Sequence, residues 1–291
     1  MQAMRWEWGI KEAPAREWSE GKGALIAISM FMGGIAGGSY LMSLYFDNIW
    51  GMLIAWIFAA GMGLVDMAHL KKPMRVWRIA FKTNSSWISR GFVFVILFLG
   101  AAGLQLLIHL VSGNAAAAPN AGEVFFRIVA GILAFGVAVY SGFVVGFVNG
   151  IKFWNSALLP VMVVAGGLAG GAAIVLAISS ITSAASFEAV RTAAILSLAA
   201  YAVSVFIHLW ISTYSSTEAK DSALLLLKGS LAGLFWIATV LIGIVAVLII
   251  EFVAGADASA LLIVSAVLFL AGNLVLRYSI IKAGLYVPLL S

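Results

Sequence analysis

Apolar residues fall in eight runs, near 23–46, 50–70, 88–111, 124–148, 155–181, 188–212, 223–251 and 257–281. Each is long enough to carry a helix across a bilayer, which takes about 20 residues. Of the 291 residues 63% are hydrophobic and only 10% charged, and the mean hydropathy is +1.09. A soluble fold of this length needs far more polar surface than that. The sequence therefore predicts an all-α integral membrane protein of eight transmembrane helices, surrounded by membrane lipid, with no nucleic acid among its partners.

An even number of spans puts both termini on one side. Fifteen of the seventeen Lys and Arg residues fall on that side: four before the first span, six between spans two and three, and Lys152, Lys220, Lys228, Arg277 and Lys282. Only Arg127 and Arg191 fall opposite, and without the long second connection the split is still nine to two. The positive-inside rule then predicts cytoplasmic termini. The segment ahead of span one, MRWEWGIKEAPAREWSEGK, has no A-x-A-like cleavage site, so the first span is expected to be an uncleaved helix.

Span one contains GGIAGG (Gly33 to Gly38) and span five GGLAGG (Gly166 to Gly171). Neither fits G-x-G-x-x-G or G-x-x-x-x-G-K-[ST], and no strand precedes either, so nucleotide binding is excluded. Each instead carries two overlapping small-xxx-small pairs, which line a side-chain-free groove where a second helix approaches. Two dipeptide echoes keep the same order: His69-Leu70 with His208-Leu209 in spans two and six, and Tyr140-Ser141 with Tyr278-Ser279 in spans four and eight. Together they predict two four-helix bundles related as a parallel internal repeat. The expected division is a polar segment at 1–22, a first bundle at 23–148 and a second at 149–291.

No cysteine is present and only three histidines, His69, His109 and His208. Disulfides, Cys-held iron–sulfur clusters, Cys zinc sites and c-type haem attachment are thereby excluded. Ionisable and polar residues inside spans mark candidate sites, because lipid makes them expensive. On the basic side these are Ser29, Asp66, His69, Tyr140, Trp154, Arg277 and Tyr278. On the other side Gln105, His109, Glu123, Arg127 and Glu251 are candidates for a proton path, competing with ordinary solvation at the membrane interface.

The connection between spans two and three, HLKKPMRVW (His69 to Trp77) followed by SSWISRG (Ser85 to Gly91), resembles the HLG-x-P-x-R-x-W … SW-x-S-R signature of the NrfD/PsrC-like polysulfide reductase membrane subunits. FMGGIAGGSYL, the VYSG…KFWNS…LLP run from Val139 to Pro160, and RYSIIKAG in span eight extend the resemblance over the whole chain. It implies a quinone-reactive subunit without haem or metal of its own and inactive alone. Such a subunit exchanges electrons, with accompanying proton transfer, between a menaquinone or ubiquinone pool and a docked ferredoxin-like iron–sulfur subunit. That partner serves a catalytic subunit, often of the molybdopterin type, in anaerobic respiration at the cytoplasmic membrane of a prokaryote.

By the same resemblance the quinone pocket belongs in the first bundle, with Tyr140 matching the tyrosine that hydrogen-bonds a quinone oxygen. Where some relatives carry a histidine in span one, this sequence has Ser29, so His69 and Asp66 become the candidates for the second contact. Gly33 and Gly37 would let the ring lie against backbone. Lys71, Lys72, Arg75, Trp77, Arg78, Trp87 and Arg90 form the expected docking patch for an acidic partner. Two alternatives stay open. A solute or ion transporter would show broken helices at mid-membrane, yet of five prolines only Pro160 lies within a span. A passive anchor would lack a quinone site.

Overall fold

In a computed structural model the described residues are 13–70, 73–84, 86–112, 120–182 and 186–287. Eight helices in them are long and apolar enough to cross a membrane. The spans are Ala24–Tyr45, Ile49–His69, Trp87–Val111, Ala121–Gly146, Leu158–Ile181, Phe187–Ser215, Leu234–Val253 and Ser259–Lys282, numbered one to eight below. In lipid a backbone must satisfy its own hydrogen bonds, and a helix does so residue by residue. Polar caps set several starts: Asn48 Oδ1 accepts from the Gly51 N–H at 2.9 Å, and Asn120 Oδ1 from the Glu123 N–H at 2.8 Å. Ser86 and Ser216 cap the helices that follow them in the same way; such caps satisfy amide donors that a helix leaves unpaired.

One expected boundary is corrected. The apolar run 223–251 is not one helix. Thr217–Leu227 is a separate helix, and span seven begins only at Leu234. ALLLL ends the earlier helix, and Lys228, Gly229 and Ser230 turn the chain before the next apolar stretch. Span seven itself is wound as π-helix over Leu234–Ala246 before tightening to α-helix at Val247–Val253.

Spans one and five are the most enclosed helices and pack against each other. One buried apolar cluster, from Ala36 and Tyr40 to Val137 and Tyr140, is drawn from spans one to four. A second gathers residues of spans five to eight, with Ala27 and Met30 of span one. Between them lies a seam made by the two glycine hexapeptides, each the other's partner. A Cβ on Gly38 would sit 2.0 Å from the carbonyl carbon of Gly167, one on Gly167 2.2 Å from the Gly34 oxygen, and one on Gly171 2.6 Å from Gly38. Gly33, Gly37, Gly166 and Gly170 face other neighbours instead: Met62, Ala134, the Tyr201–Asn273–Arg277 group, and Ile35 with Phe269. Such bare-backbone contact is what drives helix association in lipid, where there is no hydrophobic drive between helices.

The two ends of the described chain meet at the basic side. β1 (Ala13–Pro14) pairs antiparallel with β2 (Leu285–Tyr286). Trp18 packs edge-on against Trp154 at 5.3 Å and donates through Nε1 to the Tyr286 hydroxyl at 3.2 Å. Trp154, fully buried, donates to the Ile280 carbonyl at 2.9 Å. Burial and the hydrogen bond to Glu17 push the Tyr286 hydroxyl above the ordinary phenol range, so it stays a donor.

Candidate functional site

Near the basic side of the first bundle, span four brings Tyr140 into the interior, 7% exposed. Its ring is held by span three: a Cβ on Gly91 would lie 2.1 Å from Tyr140 Cδ2, so glycine there is what lets the ring in. The hydroxyl donates to the Met62 thioether of span two at 3.7 Å. Sulfur is a weak acceptor and that distance is long, so this donor is only lightly engaged. Ser29 of span one, 7% exposed, and Asp66 of span two lie in the neighbourhood of the same hydroxyl. Asp66 is exposed at the end of the bundle. Three expected residues from three helices, Ser29, Asp66 and Tyr140, are thus brought together.

Met62 was not anticipated. Its position seven residues before His69 places it two turns deeper on the same helix face, the signal that points to it. Gly33 packs on Met62, where a Cβ would come within 2.9 Å of the sulfur, and Gly37 packs on span four, where a Cβ would come within 2.4 Å of the Ala134 carbonyl oxygen. Gly33 therefore packs on the residue that accepts from Tyr140, and Gly37 faces the backbone of span four. The side chain of His69 lies outside the described residues.

The opposite end of the first bundle holds a single polar network. One oxygen of Glu123, a residue 2% exposed, receives Arg127 Nη2 at 2.9 Å, Arg127 Nε at 3.1 Å and Gln105 Nε2 at 3.4 Å. His109 Nδ1 stands 3.1 Å from it, and the Tyr40 hydroxyl donates to Gln105 Oε1 at 3.5 Å. Arg127 also pairs with Asp47. Gln105, His109 and Arg127 thus gather around Glu123. Glu251 does not join them: it is buried in span seven, 1% exposed. Tyr40 and Asp47, missed from the sequence, close the network at its two ends. It stops at Tyr40, eleven residues and about 16 Å along span one from Ser29.

At the start of span three, Trp87 stacks on Phe143 of span four at 4.4 Å, and Arg90 lies over Trp87 at 4.6 Å. Arg90 also donates to the carbonyls of Thr83 at 2.7 Å and Asn84 at 3.1 Å. These two residues fasten the loop to the bundle. Trp77 and Arg78 are exposed, the guanidinium 5.4 Å from the ring, and Phe81 stands beside them. Lys71 and Lys72 lie outside the described residues, as does the side chain of Arg75. Among the described residues no group of three His, Asp or Glu is gathered that could hold a metal.

Comparison with protein families matches residues 22–288 to the family described as polysulphide reductase, NrfD. No curated protein matches the chain.

Proposed function

The chain belongs to the polysulphide reductase NrfD family, membrane subunits of oxidoreductase complexes, and from that premise we propose that it is the quinone-reactive subunit of such a complex. The reading rests on one observation: a buried tyrosine hydroxyl whose direct acceptor is a thioether, flanked by a serine and a carboxylate that reaches the surface. A better acceptor, such as a carbonyl oxygen, would take the Tyr140 hydrogen bond from Met62 at little cost. Tyr140 and Ser29 would hold one carbonyl, and the ring would border Gly33.

A quinone, when bound, supplies two-electron, two-proton redox chemistry. The chain's part is to orient the carbonyl through the Tyr140 O–H, to exclude water with the packed ring of Tyr140 against Gly91, and to pass protons at Asp66 toward the basic-side surface. His69, at the end of the same helix, is proposed to share that proton traffic. The exposed Trp77 and Arg78, with the basic residues around them, are proposed to receive an acidic iron–sulfur subunit, itself serving a catalytic subunit. The membrane proposed is the cytoplasmic membrane of a prokaryote, with cytoplasmic termini.

The test is Tyr140→Phe in the assembled complex, with quinol-linked electron transfer measured in membranes. Loss of one hydrogen bond to developing charge is expected to slow it by about 10- to 100-fold, with subunit assembly unchanged. An unchanged rate in the intact complex would reject this pocket and favour a passive anchor.

A further inference from the structure

The second bundle contains a group of buried polar atoms that neither the Tyr140 pocket nor the Glu123 network uses. Tyr201 and His208 lie on one face of span six, seven residues or about 10 Å apart. At the inner end Tyr201 and Arg277 of span eight close on the same point of span five, where a Cβ on Gly166 would lie 2.8 Å from Tyr201 Cε2 and 3.0 Å from Arg277 Nη2. All three are at most 2% exposed. Yet the Tyr201 hydroxyl, both ring nitrogens of His208 and Nη1 of Arg277 have no hydrogen-bond partner among the described residues.

The neighbouring polar groups are committed elsewhere. Arg277 Nε donates to Asn273 Oδ1 at 3.2 Å, and Nη2 to the carbonyls of Val163 at 3.2 Å and Met162 at 3.5 Å. Asn273 Nδ2 donates to the Gly166 carbonyl at 3.1 Å. Ser204 and Ser212, on the same face of span six, return their hydroxyls to the carbonyls of Tyr201 and His208. The guanidinium therefore rests on neutral oxygens, with no carboxylate paired to it among the described residues, and keeps two N–H groups in reserve. Each such group left bare in a low-dielectric interior is destabilising, the charged one most of all.

Size narrows what can satisfy them. A Cβ on Gly166 would already meet Asn273 Nδ2 and Tyr201 Cε2 at 2.8 Å and Arg277 Nη2 at 3.0 Å, which leaves no space for a ring. A water molecule is small enough, and it both accepts from the Tyr201 hydroxyl and Arg277 and donates to the imidazole. At the other end the His208 ring packs at 5.0 Å on Phe153 of the connection before span five.

We propose that the second bundle binds a file of water running inward from His208 to Tyr201 and Arg277, a solvent path separate from the Tyr140 pocket. The path solvates the Arg277 guanidinium, which is buried in this bundle five residues before the basic-side end of span eight. It does not depend on the quinone reading.

The test is X-ray hydroxyl-radical footprinting of the purified protein in nanodiscs, since radicals made from bound water label the side chains that touch it. After correction for intrinsic reactivity, Tyr201 and His208 are expected to label about 10-fold faster than Phe98, an equally buried ring in an apolar setting, because buried water stays with polar partners and leaves apolar sites dry. Labelling of Tyr201 and His208 no faster than Phe98 overturns the proposal. In Arg277→Met protein that retains the folded elution profile, Tyr201 labelling is expected to fall toward the Phe98 rate. Tyr201 labelling unchanged by that substitution overturns Arg277 as the end of the path.

Discussion

Leucine at Gly38 is expected to abolish recovery of folded protein. The nearest atoms to a Cβ there are the carbonyl carbon and oxygen of Gly167, at 2.0 and 2.1 Å, and the Leu168 nitrogen, at 2.5 Å. Overpacking against side chains costs about 1–3 kcal/mol because rotamers can shift. Here the neighbour is helical backbone, which cannot move without separating spans one and five, so the loss should exceed about 4 kcal/mol. Monodisperse yield and thermal melting in detergent give the measurement. Gly100→Leu is the control, because nothing lies within 4 Å of a Cβ at Gly100. If both variants melt like the parent protein, the seam is not what joins the two halves.

Glu123→Ala should be the most damaging change to a charged residue. It removes the acceptor shared by Gln105 and both Arg127 donors and leaves a mostly buried guanidinium with Asp47 alone. Breaking one side of a buried ion pair costs about 3–5 kcal/mol, whereas replacing both sides with apolar groups of similar volume is often close to neutral. The expected order of stability is therefore parent, then Glu123→Met with Arg127→Met together, then Glu123→Ala, read from denaturation midpoints in detergent. A single variant no less stable than the double one would show that the network carries little energy.

The spans were legible because lipid imposes one simple condition on sequence, a long apolar run, and seven of the eight runs map onto single helices. The exception is instructive. Leu224 to Leu227 are as apolar as any membrane segment, so the break at Lys228–Ser230 is hidden in a hydropathy profile. The glycine hexapeptides announced close packing but not with whom, since a small-xxx-small pair is equally open to any helix. They meet each other through Gly34 and Gly38 on one side and Gly167 and Gly171 on the other. Site residues were legible in so far as a polar group stands out against apolar neighbours: Tyr140, Asp66, Gln105, His109 and Arg127 did so. Met62 and Tyr40 did not, because a methionine and an interfacial tyrosine are unremarkable in a membrane helix until their partners are known. Glu251 stood out equally well, but nothing in a linear sequence says which bundle a carboxylate will face.

The thioether beneath Tyr140 also gives this pocket a chemical weakness. A methionine sulfur that takes up one oxygen becomes a sulfoxide, whose S–O group is a strong acceptor. Formed at Met62, it would place such an oxygen against the hydroxyl that the thioether now holds only at 3.7 Å. Oxidation at this one atom would counterfeit a carbonyl ligand and occupy the donor until the sulfoxide is reduced, so the same soft contact that leaves Tyr140 available is where a peroxide reaching the buried sulfur would poison the site.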